Sequence, residues 1–453
     1  MNSTLSSAAA SMQGVLHGGD RTFNGVSTDT RTVRSGELFF ALTGPNFDGG
    51  EFVAEAAAKG AAGAVVTQRA DCNISQITVD DTKAALGRLG STWRQQHPVT
   101  VVGVTGSNGK TTLKEMIAAC LAQSAATIAT AGNLNNDIGV PLMLLRIDAS
   151  HRFAVIEMGA NHGGEIAYLT GLALPDVVVI TNAGPSHLEG FGSLRGVAEG
   201  KGEILQGAKR PRCAVLNADD DYFDYWMSLV NDVEVLSFGL AETAAIRASR
   251  IDSGKDGSTF SLQLPGAAID VQLPLAGLHN VRNACAAAAV ATALEVAPDD
   301  IQAALESIVP VSGRLQPTAG LNGASLFDDS YNANPVSVAA AGEFLAGLPG
   351  ESWIVLGDMG ELGDDAEKLH RELGVRLREQ GVDRLFATGD LSRATVAGFG
   401  AAGQWFADVD ELVDAVGAHL TGAVNVLVKG SRAARMERAV ARLRAPDPVR
   451  MEA

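Results

Sequence analysis

Cysteine is scarce in this chain: Cys72, Cys120, Cys213 and Cys285 are the four among 453 residues, and no two form a Cys-x-x-Cys pair. That excludes a disulfide framework, argues against a structural zinc site and fits a reducing compartment. Long apolar runs are missing too. No stretch approaches the roughly 20 residues needed to span a bilayer. The opening MNSTLSSAAASMQGVLHGGDR has neither a basic lead nor an extended apolar core, so it does not read as a signal peptide. Basic charge is in deficit, 35 Lys and Arg against 52 Asp and Glu, for a net charge of −17. Such a field repels nucleic-acid backbones, although small anions held by a few local cations and dipoles are compatible with it. Neither an internal repeat nor a low-complexity tail is present. These absences together predict a soluble, cytoplasmic protein with no nucleic-acid partner and no membrane span; a monomer is expected.

Hydrophobic residues make up 46% and charged residues 19%, which describes a folded globular chain. At roughly 150 residues per domain the length predicts about three domains. The 51 glycines suit an α/β protein with many tight strand-to-helix turns. Residues 1–97 read as short strands with one helix: a strand at 38–42, a helix at 52–61 and a strand at 64–66. Pro98 opens a second segment, 98–312, whose continuous apolar runs at 99–104, 153–157, 177–181 and 213–216 predict parallel strands buried on both faces. Residues 233–275 read as a small antiparallel excursion, followed by helices at 280–294 and 301–308. In 313–453, SLFDDS, WIVLGDMG, RLFATGD and NVLVKGS predict a third, doubly wound sheet. The fold class expected is therefore α/β in three domains: a small N-terminal α/β domain, a central P-loop parallel-sheet ATPase domain and a C-terminal Rossmann-like domain.

The sharpest local signal is VVGVTGSNGKTTLKEMI, residues 101–117. A buried strand enters a glycine-rich turn, then Lys110, Thr111 and a helix. That order aims backbone N–H groups and a helix N-terminus at phosphate oxygens. Gly106, Ser107, Asn108, Gly109, Lys110, Thr111 and Thr112 are thus candidates for binding ATP. Lys110 would face the β- and γ-phosphates, and the Thr111 hydroxyl would face Mg2+. The common pattern G-x-x-x-x-G-K-[ST] is not fully met, because its first glycine position is Val104.

This variant, TGSNGKTT, resembles the nucleotide loop of the Mur ligases and their folylpolyglutamate synthetase relatives. The resemblance extends through TAGNLNNDIGVPLMLL, EMGANHGGEIAYL, HLEGFGSLRGVAEGKGEIL, GLHNVRNACAA, FDDSYNANP, VLGDMGELG and VKGSRAARME, with VSTDTR, GELFFAL and GPNFDGG near the start. It spans essentially the whole chain. It implies a bacterial peptidoglycan-precursor enzyme of the branch that joins D-alanyl-D-alanine to UDP-N-acetylmuramoyl-tripeptide, through an acyl phosphate made from ATP with Mg2+. The branch acting one step earlier, on diaminopimelate, carries a D-N-P-R string that this sequence lacks. A nucleotide-binding regulator that makes no bond is the reading from a different class.

Candidate site residues follow. Glu157 ends one central strand and His187 follows another, so both belong at the strand edge where α/β proteins bind ligands. Taken singly they read as a solvated glutamate and a locally bonded histidine. Beside a phosphate loop they become metal ligands, as the resemblance implies. It also implies that Lys201 carries CO2 as a carbamate; an exposed helix lysine is the plain alternative. Lys110, Glu157, His187 and Lys201 are the catalytic set expected, and Thr111, Glu157, His187 and Lys201 the metal set. By the same resemblance His279, Asn280 and Asn283 approach adenine, while Arg314 and Asp329 reach ATP from the third domain. Asparagine capping and surface ion pairs are the alternatives for these. Thr30, Arg31, Asn46 and Phe47 are the UDP-sugar candidates by motif match. Asn135 and Asn136, next to Asp137, are candidates for the peptide substrate, or simply turn residues. Asn332 and Asn334, uncharged at a strand end, are expected to orient the incoming dipeptide.

Overall fold

The computed structural model describes residues 1–44 and 47–446. Three sheets organise the chain into three α/β domains. The first has five strands in the order Val15–His17, Gln76–Thr78, Gly63–Val66, Leu38–Phe40 and Val26–Ser27. All its pairs are parallel except the first. Three helices accompany it, not the one expected. Leu5–Met12 is capped by Thr4, and Thr82–Gln95 by Asp81, whose carboxylate accepts from the N–H groups of Lys83 and Ala84. Val53–Ala58 is the helix predicted.

The second sheet has nine strands, and its third member, Thr100–Thr105, lies between Phe153–Glu157 and Val177–Ile180. Every pair is parallel up to the strand Ile246–Gly254. The final hairpin strands, Gly257–Leu264 and Ala267–Leu273, are antiparallel. The antiparallel excursion therefore begins later than residue 233. Glu234–Gly239 runs parallel to Cys213–Asn217 and extends the sheet. The alanine-rich helix Leu278–Ala293 is buried along Ala284–Ala291 and shares one core with the helix Lys110–Ala122. Small side chains let the two helices approach closely while the apolar surface removed from water holds them together.

The third sheet runs Gln316–Ala319, Ser325–Asp329, Val424–Lys429, Glu351–Leu356, Arg384–Thr388 and Gly403–Phe406. All pairs are parallel but the first. The four strands expected here are present; the two outer ones, Gln316–Ala319 and Gly403–Phe406, were not anticipated. Among the described residues no helix is long and apolar enough to cross a membrane.

Candidate active site

The loop after Thr100–Thr105 is shaped by two glycines. Gly106 has φ +142°, and a Cβ there would stand 1.9 Å from Thr181 Oγ1. Gly109 (φ +82°) starts the helix Lys110–Ala122, and its Cβ would meet Asn283 Oδ1 at 2.7 Å. Both positions combine a left-handed backbone with a close neighbour, so only glycine fits them without strain. Val104, where the common motif has a glycine, lies inside the strand, fully buried and paired with Glu157 and Val179. The turn therefore begins two residues later than in the common pattern. Lys110 folds back over the loop, donating to the carbonyls of Gly106 (2.7 Å) and Ser107 (3.2 Å). Desolvation pulls its pKa down to about 8, with Glu157 opposing the shift and Arg314 adding to it.

Ser107 through Thr111 line a cavity of about 400 Å³ between the middle and third domains. Glu157 and His187 line it too. Glu157 is 2% exposed; its Oε1 accepts from Asn135 Nδ2 at 2.7 Å, while Oε2 is buried without a partner. His187 adopts a left-handed backbone with φ 53°, and its Nδ1 lies 2.5 Å from Glu361 Oε2. That close contact links the second domain to the third across the cavity. Burial, with the nearby Lys110 and Lys201 charges, outweighs Glu361 and holds the His187 pKa below its ordinary value.

Lys201 is 1% exposed, on the helix Leu194–Gly202. It is not the exposed helix lysine of the plain reading. Its Nζ reaches Ala160 O at 3.4 Å and sits 4.9 Å from the Phe191 ring centroid. Burial first, then repulsion from Lys110, brings its pKa down to about 7. It stands behind the cavity wall, not in it.

From the third domain, Arg314, Asn332 and Asn334 line the cavity. Arg314 stacks 4.1 Å over the Tyr331 ring and makes no ion pair among the described residues, unlike the surface-pair alternative. Asp329, by contrast, is held in a buried ion pair with Lys429 Nζ at 2.6 Å and accepts from Leu315 N–H at 3.1 Å. It lies outside the cavity wall, as do Gly106, Thr112, His279, Asn280 and Asn283. Asn280 donates to Ala276 O, and Asn283 donates to Asn280 Oδ1. His279 is pushed down to about 4 by burial, against the pull of Asp329.

Two residues expected to contact substrate have partners within the chain. Asn334 caps the helix Pro335–Ala346 through Ser337 and donates to Asn108, so both ends of its amide are occupied. Asn136 faces the cavity, but its Oδ1 accepts from Gly139 N–H at 2.8 Å, a turn role. In the first domain Thr30 is buried, Arg31 is exposed and paired with Asp29, and Phe47 is 57% exposed. None of these three lines the cavity. Asn46 lies outside the described residues.

Comparison with known proteins places this geometry. Residues 22–94 match the Mur ligase family catalytic domain, 104–291 the Mur ligase middle domain and 313–432 the Mur ligase glutamate ligase domain. The chain is 42% identical over 440 residues to UDP-N-acetylmuramoyl-tripeptide–D-alanyl-D-alanine ligase of Escherichia coli (strain K12), covering 96% of this chain and 97% of that one. The chain belongs to the Mur ligase family. It is 37% identical to the ligase of the same name from Bacillus subtilis (strain 168), over 81% of this chain and 80% of that one. Among solved structures it superposes on crystal structure I of MurF from Acinetobacter baumannii with a TM-score of 0.93, at 36% identity, over 98% and 99% of the two chains. A MurF ligase from Thermotoga maritima in complex with ADP gives a TM-score of 0.83, at 27% identity, over 93% and 97%.

For a Mur ligase, the cavity joins an anion cradle to spare hard donors. Among the described residues no three His, Cys, Asp or Glu side chains cluster as a ready metal site. The unpartnered Glu157 Oε2 is nonetheless a carboxylate oxygen free to bind a divalent cation, and the His187 imidazole stands at the same wall with its Nδ1 against Glu361. Glu361, Tyr331, Lys429, Ser431 and Arg432 line the same cavity and were not singled out from the sequence. Lys429 ends the strand Val424–Lys429, Ser431 and Arg432 follow it, and Glu361 follows Glu351–Leu356. A charged residue beside glycine at or after the carboxyl end of a predicted parallel strand is the signal that would have found Lys429 and Glu361.

Proposed function

We propose that this Mur ligase joins the amino group of D-alanyl-D-alanine to the terminal carboxylate of UDP-N-acetylmuramoyl-tripeptide, converting ATP to ADP and phosphate. The reading is carried by one cavity that unites the phosphate loop with third-domain residues, in a chain 42% identical to a ligase of that name. A substrate carboxylate oxygen attacks the γ-phosphorus and ADP leaves. The dipeptide amine then attacks the acyl carbon, loses its proton, and phosphate departs with the original carboxylate oxygen. Positioning and charge neutralisation suffice for both steps.

In this account Lys110 leaves its loop carbonyls for the phosphates, and the loop N–H groups of residues 106–112 cradle them. Arg314 reaches the phosphates from across the cavity. His279, Asn280 and Asn283 flank adenine, and Asp329 helps fix the ribose side. Thr111, Glu157 and His187 would hold Mg2+, which supplies charge neutralisation at the phosphates when bound. Lys201, with a substantial neutral fraction near pH 7, is a nucleophile for CO2; its carbamate would add the anion that this donor set lacks. Residues 1–97 take the UDP-sugar through Thr30, Arg31, Asn46 and Phe47, residues 98–312 take ATP, and residues 313–453 bring the amine. Asn135 steadies Glu157, and Asn332 faces the dipeptide. The enzyme works as a monomer in the bacterial cytoplasm.

The test is a phosphate-release assay with ATP, Mg2+ and both co-substrates, each omitted in turn. Sustained release together with a product one water lighter than its two precursors supports the reading. Release that ignores the dipeptide overturns it.

A further inference from the structure

Asn108 of the phosphate loop and Asn334 of the third domain meet across the seam, Asn334 Nδ2 donating to Asn108 Oδ1 at 2.7 Å. Each partner is built for this contact. Asn334 Oδ1 accepts from Ser337 N–H at 2.9 Å, and Asn334 N–H donates to Ser337 Oγ at 3.0 Å. The cap therefore decides which end of the amide faces outward. It must be Nδ2, and Asn108 must answer with its carbonyl oxygen. That choice leaves Asn108 Nδ2 buried with no partner, an unfavourable arrangement unless something else depends on it.

The main chain of Asn108 is held by its own domain. Its N–H donates to Asn182 Oδ1 at 3.0 Å, and its carbonyl accepts from Thr181 Oγ1 at 2.7 Å and Asn182 Nδ2 at 3.2 Å. The loop backbone is thus preset by the middle domain. The Asn108 carboxamide, two residues before Lys110, is the part of the loop that the third domain sets.

We propose that Asn334 is a positioning residue, which couples docking of the third domain to the phosphate-loop arrangement needed for phosphoryl transfer. This rests on the ligase reading above. ATP binds the preset backbone whether or not the domains are docked. Transfer becomes fast when the cap amide engages Asn108, so the acyl phosphate forms with the amine-bearing domain already in place. Asn334 then acts through Asn108 and does not touch the dipeptide.

Asn334→Ser separates the two roles of this side chain, because serine remains a good N-cap but is too short to reach Asn108. The expected result is an unchanged melting temperature, unchanged KM values for ATP and dipeptide, and a kcat lower by about threefold to tenfold, the worth of one neutral hydrogen bond. Asn108→Ala should lose a similar amount, and the double variant no more than the weaker single, since all three remove the same bond. A wild-type kcat in Asn334→Ser, a fall in melting temperature that accounts for the loss, multiplied losses in the double variant, or a loss confined to the dipeptide KM would each overturn the proposal. A wild-type chain that forms no amide at all would overturn the ligase reading and this inference with it.

Discussion

Lys110 is a cation in a place that discourages charge, curled onto two carbonyls with its pKa pulled down to about 8 by burial. Phosphates arriving at the loop would restore the value of that charge. Lys110→Ala is expected to keep the fold and lose roughly 10²–10⁴ in phosphate release, as for other preorganised charge stabilisers; circular dichroism and steady-state rates on one sample check both halves. Lys201 allows a test of sign. Its pKa falls from 10.5 to about 7, chiefly by burial, so between those values the unfolded chain keeps a proton that the folded chain sheds. Stability contributed by this group must then rise with pH across the window. In CO2-free buffer, Lys201→Met should exceed wild type in urea midpoint most at or below about pH 7 and lose that advantage toward pH 10. A constant gap would mean that Lys201 is not a buried, depressed amine. Asn332, whose Oδ1 accepts from Ala333 N–H at 2.9 Å while its side chain lines the cavity, is expected to cost about 1–3 kcal/mol when changed to alanine. That loss should lie in the dipeptide constants, with those for ATP little changed.

Among the elements, the phosphate loop tolerates least. Gly106→Ala must place a methyl group against Thr181 Oγ1, which is itself bonded to Asn108 O. The substitution is predicted to cost about 1–3 kcal/mol of stability and to weaken ADP binding. Calorimetry on the free protein and titration with ADP measure the two effects. The central strands could be read from the sequence because burial on both faces gives uninterrupted apolar runs, as at Phe153–Glu157. The helix Thr82–Gln95 escaped because Gly87 and Gly90 depress its helical signal. Those glycines serve packing: a Cβ at Gly87 would lie 2.4 Å from Tyr168 Oη, and one at Gly90 would lie 3.0 Å from Pro141 Cα. Gln316–Ala319 contains a proline and lies at a sheet edge, where proline is tolerated but erases the usual strand signal. The site was legible in the same uneven way. The loop, Glu157 and His187 declare themselves by position after strands. Asn334 and Asp329 have alternative partners that only folding supplies, from residues about a hundred or more positions away.

At the scale of the whole molecule, a chain of net charge −17 gathers Lys110, Arg314 and Arg432 around one cavity. The general field turns polyanions away while the cavity offers a local welcome to phosphate. The domains are also tied together away from it. Trp93 Nε1 donates to Ile147 O at 2.8 Å, and Lys83 pairs with Asp137 at 2.7 Å, joining the first domain to the second. At the cavity itself the second and third domains meet through Asn108 and Asn334, and through His187 and Glu361. An assembly of this kind suits a reaction whose intermediate must be made in one domain and consumed by an amine from another. The central claim is that the carboxylate is activated by phosphorylation, and it is tested most directly by oxygen transfer. With a heavy-oxygen label in the acceptor carboxylate, one labelled oxygen should appear in the released phosphate for every amide formed. Phosphate that carries no label while amide accumulates would contradict the account.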